Sequence, residues 1–347
     1  MGSVTRRRWL TGMAAGGLAL GVPRRALAGH TRVLVLGGRG FVGQEVIRAA
    51  EARGFEVCTA GETLAPPGQF DAVLDCASSH PDLVEARAAD LGGRIGHYVR
   101  VSSAEAYADL ELDAERVDER ASLRAAPGRC EPWTEADHYA EAERRLSRQL
   151  GPRLTLLRPT TIVGPGDPTD RLSAWIARTA EGGDMVAPGR PSDPVQFVDV
   201  RDVAALVADR ALSTAPGRLN LAGPRRPATM GRLLASCARA AAVDPELTWV
   251  SASRVSAAGL DPAVHLPLWH ASDDPRRGIA RLDPHRARGA GFRPRRLQNT
   301  VQDTADWWNT LPEQRRLARR AGLDPRREAQ LRASAPLARQ TRASMSA

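Results

Sequence analysis

The chain has 347 residues, 42% hydrophobic and 26% charged, the composition of a folded protein with room for a sizeable core. Its formal charge of +9 sits at the two ends: residues 1–28 carry +5 and residues 312–347 carry +6, leaving −2 for the body. That distribution argues against a basic groove following a nucleic-acid backbone.

All 49 basic residues are arginine, so no mechanism here can draw on a lysine ammonium or a Schiff base. Cys58, Cys76, Cys130 and Cys237 are scattered, without metal-ligand spacing, and no metal site is expected.

At the N-terminus, Thr5-Arg6-Arg7-Arg8-Trp9-Leu10 leads into an apolar run to Val22, then Ala26-Leu27-Ala28. The pattern is similar to a twin-arginine export signal with a small-residue cleavage site, so an exported or periplasmic protein is expected. The run is too short and glycine-rich for a stable membrane span. Residues 1–28 are therefore set apart from the fold.

The organising stretch is Arg32-Val33-Leu34-Val35-Leu36 followed by Gly37-Gly38-Arg39-Gly40-Phe41-Val42-Gly43. An apolar run without polar alternation predicts a strand buried on both faces of a parallel sheet. The glycines at 37, 40 and 43 predict a tight turn opening a helix over 44–52, whose first N–H groups suit a phosphate. A second strand follows at 55–59, completing the context that gives such a triplet meaning. At its end an acidic residue would hold an adenosine ribose; Gly61 stands there, with Glu62 beside it, a slight preference for NAD over NADP.

The proline-rich link 63–69 leads straight into another buried strand at 70–77, which leaves no room for a further βα unit. A helix over 82–91, a strand over 97–103, a helix over 131–150 and a strand over 154–159 come next. Segments 195–198 and 218–221 read as the last strands of the sheet. The alternation predicts an open, doubly wound parallel α/β sheet, Rossmann-type, lacking one unit after its second strand. The dinucleotide-binding domain is placed at 29–165 plus about 195–222. Segments 166–194 and 223–311, with several prolines and tryptophans, predict a smaller lobe over the carboxyl ends of the strands. Segment 313–332 can form an amphipathic helix, and 312–347 as a whole reads as a basic helix and tail.

Four motifs then occur in order: the glycine turn, Val101-Ser102-Ser103-Ala104-Glu105-Ala106-Tyr107, Leu157-Arg158-Pro159 with Gly164-Pro165, and the stretch from Val195 to Ala204. Together they resemble the NAD-dependent epimerase/dehydratase family of extended short-chain dehydrogenases/reductases, over about residues 31–310. The resemblance implies NAD(H) or NADP(H) held by Gly37 to Gly43, Glu62 and Pro159. It implies a small hydroxyl- or carbonyl-bearing substrate, often a nucleotide-linked sugar, and leaves a homodimer open. It also implies that Ser103 hydrogen-bonds the reacting oxygen. Glu105 matches the second of an acidic pair found in sugar dehydratases, but Ala104 replaces the first.

The family's acid/base is a tyrosine with a lysine four residues on, which lowers the phenol pKa. Two registers fit the helix here. With Tyr139 as the tyrosine, Glu143 replaces the lysine; with Glu143 as the glutamate that commonly follows the lysine, Tyr139 replaces the lysine and Glu135 the tyrosine. The second leaves a more usual helix length before Arg158-Pro159 and is preferred. Neither supplies the lysine charge, so ordinary Tyr-Lys chemistry is not expected. Ser103, Tyr139, Glu135, Glu105 and His138 remain as the pool for a non-standard acid/base, with a catalytically inactive binding or scaffold relative as the alternative.

Overall fold

Arg32–Leu36 forms β1, whose four aliphatic residues are all buried, and Phe41–Glu51 follows as α1. The computed structural model describes residues 31–61, 66–77, 80–108, 110, 116–213, 215–334 and 341–342. The export-type segment 1–28 and Glu62 lie outside the described residues. The chain continues with β2 (Glu56–Ala60), β3 (Phe70–Asp75), α2 (Pro81–Leu91), β4 (Ile95–Val101), α3 (Glu135–Leu150), β5 (Leu154–Pro159) and β6 (Thr161–Val163). Then come α4 (Arg171–Ala180), β7 (Asp184–Pro188), β8 (Pro194–Asp199), α5 (Val200–Arg210) and β9 (Gly217–Leu221).

The central sheet is six-stranded and parallel, in the order β2-β1-β3-β4-β5-β9. β1 pairs with β2 on one side and β3 on the other, so β2 is an edge and, among the described residues, no unit lies beyond it. The expected Rossmann-type sheet without the unit after its second strand is what the chain forms.

Period-two alternation sorts the core. Val33, Val35, Ala72, Leu74, Val99 and Val101 pack against Val46 and Ala50 of α1 and Val203 and Val207 of α5. Leu34, Leu36, Val73, Tyr98 and Leu156 face Val84, Ala88 and Leu91 of α2 and Leu146 and Leu150 of α3. Two helical layers thus cover one sheet, and its carboxyl ends are left for the site.

The remaining elements are β10 (Gly223–Thr229), α6 (Met230–Ala241), β11 (Glu246–Val250), α7 (Ala252–Ala257), α8 (Pro262–His265), α9 (His285–Gly289), α10 (Leu297–Thr310), α11 (Glu313–Leu317), α12 (Pro325–Ala333) and β12 (Thr341–Arg342). Two readings need correction here. β8 is not in the main sheet; it pairs with β6 and β10 in a separate three-stranded sheet. Its alternation is the same whichever sheet it joins, so sequence pattern could not separate the two. Segment 313–332 is two short helices rather than one: the first ends at Leu317 and the second starts at Pro325, with Gly322 at φ +98° in the link.

Those helices are tied to the lobe by buried charge. Asp170 accepts from Arg315 Nη2 at 2.7 Å and from the Arg320 N–H at 2.9 Å. Glu328, 5% exposed, accepts from Arg178 Nε at 2.6 Å and from the Val186 N–H at 2.8 Å. Glu328→Ala should therefore cost about 2–3 kcal/mol in urea unfolding, since a buried backbone donor and a guanidinium both lose a partner. A loss under about 0.5 kcal/mol would show that the segment does not stabilise the lobe.

Candidate functional site

The glycine turn is built as the sequence requires. Gly37 has φ +74°, and a Cβ there would stand 2.7 Å from the Cys76 carbonyl oxygen. A Cβ on Gly43 would overlap the Gly37 carbonyl oxygen, so only glycine lets α1 lie this close to the turn. Gly40 N–H donates back to Gly37 O at 3.0 Å, and Gln44 Nε2 holds the Arg39 carbonyl at 3.0 Å. The Gly40 N-cap has no side-chain cap bond, and the first turn of α1 holds no acid. The N-terminal dipole and the first N–H groups of Phe41 and Val42 are thus left to an outside acceptor. Gly38 and Arg39 form the turn's outer rim, and Pro159 is buried at the carboxyl end of β5, level with Leu221 of β9.

Beside the turn, the α2/α3 face of the sheet ends in a row of buried charge. Asp75 of β3 and Arg100 of β4 are register partners, and Arg100 Nη1 meets Asp75 Oδ2 at 2.8 Å. Tyr98 donates its hydroxyl to the same oxygen at 2.7 Å. One strand further, Arg158 Nε donates to Glu143 Oε1 of α3 at 3.0 Å, and Ser102 Oγ donates to that oxygen at 2.6 Å. Arg158 Nη1 also donates to the Tyr107 hydroxyl at 2.8 Å, which in turn donates to Asn220 Oδ1 at 2.7 Å. The motif tyrosine Tyr107 is thus a fully buried strut.

Glu143, which one register puts at the lysine's position, is consumed in this network. A cation is nonetheless present: Arg100, on the neighbouring strand, exerts its charge on Tyr139. Helical spacing alone does not reveal it. An arginine inside a strand otherwise read as buried is the available signal.

α3 begins with a capping box: Thr134 Oγ1 accepts from the Asp137 N–H at 3.3 Å, and Asp137 Oδ2 accepts from the Thr134 N–H at 2.9 Å. This fixes Glu135 and Tyr139, one turn apart. The Tyr139 hydroxyl donates to Glu135 Oε1 at 3.2 Å. Burial pushes the Tyr139 phenol up to about 12; the Glu135 charge adds to this and Arg100 opposes it. Glu105, half-buried, also acts on that phenol. Ser103 is half-buried, its Oγ accepting the Glu105 N–H at 3.1 Å. The structure therefore groups Glu135, Tyr139 and Glu105 electrostatically, with Ser103 joined through Glu105. His138 turns elsewhere, stacking on Trp133 at 5.5 Å between centroids. Among the described residues no cluster of His, Cys, Asp or Glu could hold a metal, and no helix is long and apolar enough to cross a membrane.

An open parallel sheet with a glycine turn at the end of β1 and a polar row beside it defines a Rossmann-type fold. Residues 72–222 match the model of the NAD dependent epimerase/dehydratase family. No curated protein matches the sequence. Among solved structures, the UDP-glucose 4-epimerase of Thermus thermophilus, in complex with NAD, aligns at TM-score 0.57 and 21% identity, covering 81% of this chain and 100% of that one. RMD from Pseudomonas aeruginosa, complexed with NADPH, aligns at 0.56 and 18%, covering 81% and 100%. The human epimerase family protein SDR39U1, with NADPH, aligns at 0.58 and 17%, covering 79% and 99%. At these identities the likeness is one of fold.

The capping box has a pH signature. Burial works against ionising Asp137, but hydrogen bonds from Thr134 and Arg124 outweigh it and hold the carboxyl down to about 2. A carboxyl depressed in the folded state stabilises above its unfolded value and loses that contribution as pH falls through the folded one. Asp137→Asn should lower stability at pH 7, and its deficit against the parent should shrink between about pH 4 and pH 2. Denaturant unfolding across that range measures it; a deficit independent of pH would contradict the assignment.

Proposed function

We propose that the chain binds NAD(H) or NADP(H) over Gly37 to Gly43 and acts as an epimerase-type oxidoreductase or isomerase. The substrate would be sugar-like or another small molecule bearing a hydroxyl or carbonyl. The observation that carries this reading is the Tyr139 hydroxyl donating to Glu135 at the start of α3, where the preferred register puts the family's acid/base pair. The fit to a dinucleotide rests on the uncapped α1 N-terminus and on glycines whose Cβ atoms would clash. The NAD and NADPH held by the three solved relatives agree with it.

A bound nicotinamide ring supplies a hydride acceptor and donor. The chain's own groups handle the substrate. The Ser103 hydroxyl binds the reacting oxygen, and Glu135 takes or returns its proton. Tyr139, held protonated by a phenol pKa of about 12, donates a hydrogen bond that orients the carboxylate. Glu105 lies near enough to Tyr139 to tune it. NAD is favoured slightly over NADP on the Gly61-Glu62 pattern.

A second reading has its own support: a catalytically silent dinucleotide-binding relative. The high phenol pKa of Tyr139 and the pairing of Arg100 with Asp75 leave no activated phenolate. The two readings part on two measurements. NAD(H) or NADP(H) should raise the thermal midpoint by mass action in either case, and no shift at millimolar ligand would remove both. On a panel of sugars and nucleotide-linked sugars, Glu135→Gln should lower turnover by about 10²–10⁴ while leaving the ligand-induced shift intact. Binding without turnover anywhere on the panel selects the silent relative.

Export is part of the same proposal. Replacing Arg6 and Arg7 with Gln should retain the protein inside the cell, measured by fractionation; unchanged secretion would refute the signal.

A further inference from the structure

We propose that the chain carries a second ligand site, for a phosphate group, at the opposite end of the sheet from the glycine turn. A pocket of about 480 Å³ opens where β5 and β9 begin, between the end of α5 and α9. Arg210, His285 and Arg286 line it together with Thr155, Gly217 and Gly289, and no aspartate or glutamate does.

The charge there is unbalanced. Arg210 Nη2 donates to Ser213 Oγ and to the Ala215 carbonyl, which staples the loop after α5, but its Nε is buried with no partner among the described residues. Leaving a buried guanidinium N–H unpaired costs free energy, while the pocket itself is lined by the Arg210 and Arg286 side chains. Of the nearby carboxylates, Asp209 is paired with Arg53 at 2.8 Å while its charge also acts on Arg210, and Asp283 is paired with Arg116 at 3.6 Å and accepts the His285 N–H at 2.9 Å; neither lines the pocket. Behind the pocket wall, His97 shares a 2.9 Å hydrogen bond with Thr155. Burial and then the Arg210 charge hold its ring down to about 4.

Two guanidinium groups and an imidazole without an acid suit a tetrahedral oxyanion better than a flat apolar molecule. The volume exceeds a bare phosphate, so inorganic phosphate and a small phosphate ester both fit the chemistry. The site stands apart from the dinucleotide crevice and does not rest on it.

The test uses the full chain. Sodium phosphate, against sodium chloride of equal ionic strength, should raise the thermal midpoint, with hydrogen-exchange protection appearing at residues 210–219 and 285–290. Arg286→Gln, which leaves the Arg210 staple untouched, should weaken the apparent phosphate affinity about tenfold. Glycerol phosphate run in parallel assigns the source: tighter than inorganic phosphate means an ester, equal means the free ion, and either sustains the site. No rise over chloride overturns it. A rise that survives Arg286→Gln with protection at 37–44 also overturns it, because the anion would then sit in the glycine turn.

Discussion

The structure depends on two buried ion pairs set side by side at the carboxyl ends of β3, β4 and β5. Arg100 with Asp75 and Arg158 with Glu143 are almost fully removed from water. Taking such ions out of water costs several kcal/mol each, and the pair recovers it only with close geometry and further hydrogen bonds. Here those bonds come from Tyr98, Ser102 and Tyr107. What the arrangement secures is position. Glu143 is the one member on a helix, so its bond to Arg158 locks α3 against the sheet and sets where Glu135 and Tyr139 stand. A hydrophobic pair of the same volume could hold the helix, but it would not fix its rotation as narrowly.

The same pairs decide the site's electrostatics. In the usual arrangement a mobile lysine ammonium stands beside the acid/base tyrosine and keeps its phenol ionisable. Arg100 brings a full positive charge into the neighbourhood of Tyr139 but spends much of it on Asp75. Burial then wins, and the phenol stays protonated. A tyrosine in that state serves as a hydrogen-bond donor, and in the reading proposed above the carboxylate that accepts from it takes over the phenol's role.

Much of this was legible in the sequence. Val33 to Leu36 followed by Gly37, Gly40 and Gly43 specified the strand, the turn and the helix, and the short link 63–69 announced the missing outer unit. Both are local statements, made by period and by glycine. Four things escaped. β8 satisfies the same alternation in either sheet, and partner choice is a long-range property. The break at Gly322 was hidden in a run whose helical pattern continues past it. Arg100 reads as part of a strand, because a charged residue inside a buried strand declares a partner without naming it, and Asp75 lies 25 residues away. The Ser102–Glu143–Arg158–Tyr107 network likewise joins four segments that no periodicity connects.

The absence of lysine gives these observations a common consequence. Arginine keeps its proton throughout the physiological range and presents a planar fork, so it can bind and orient anions but cannot give or take a proton. In a chain where every fixed cation is a guanidinium, proton handling falls to carboxylates, imidazoles and phenols. Of the candidates grouped at the start of α3, the phenol is held protonated and His138 is turned onto Trp133. Glu143, a buried carboxylate two turns further along the helix, is locked to Arg158. Glu135 is exposed, one turn into a capped helix, with a hydrogen-bond donor already aimed at it. Together with Glu105, which acts on Tyr139 from outside the helix, it is a carboxylate left open to the chemistry proposed above.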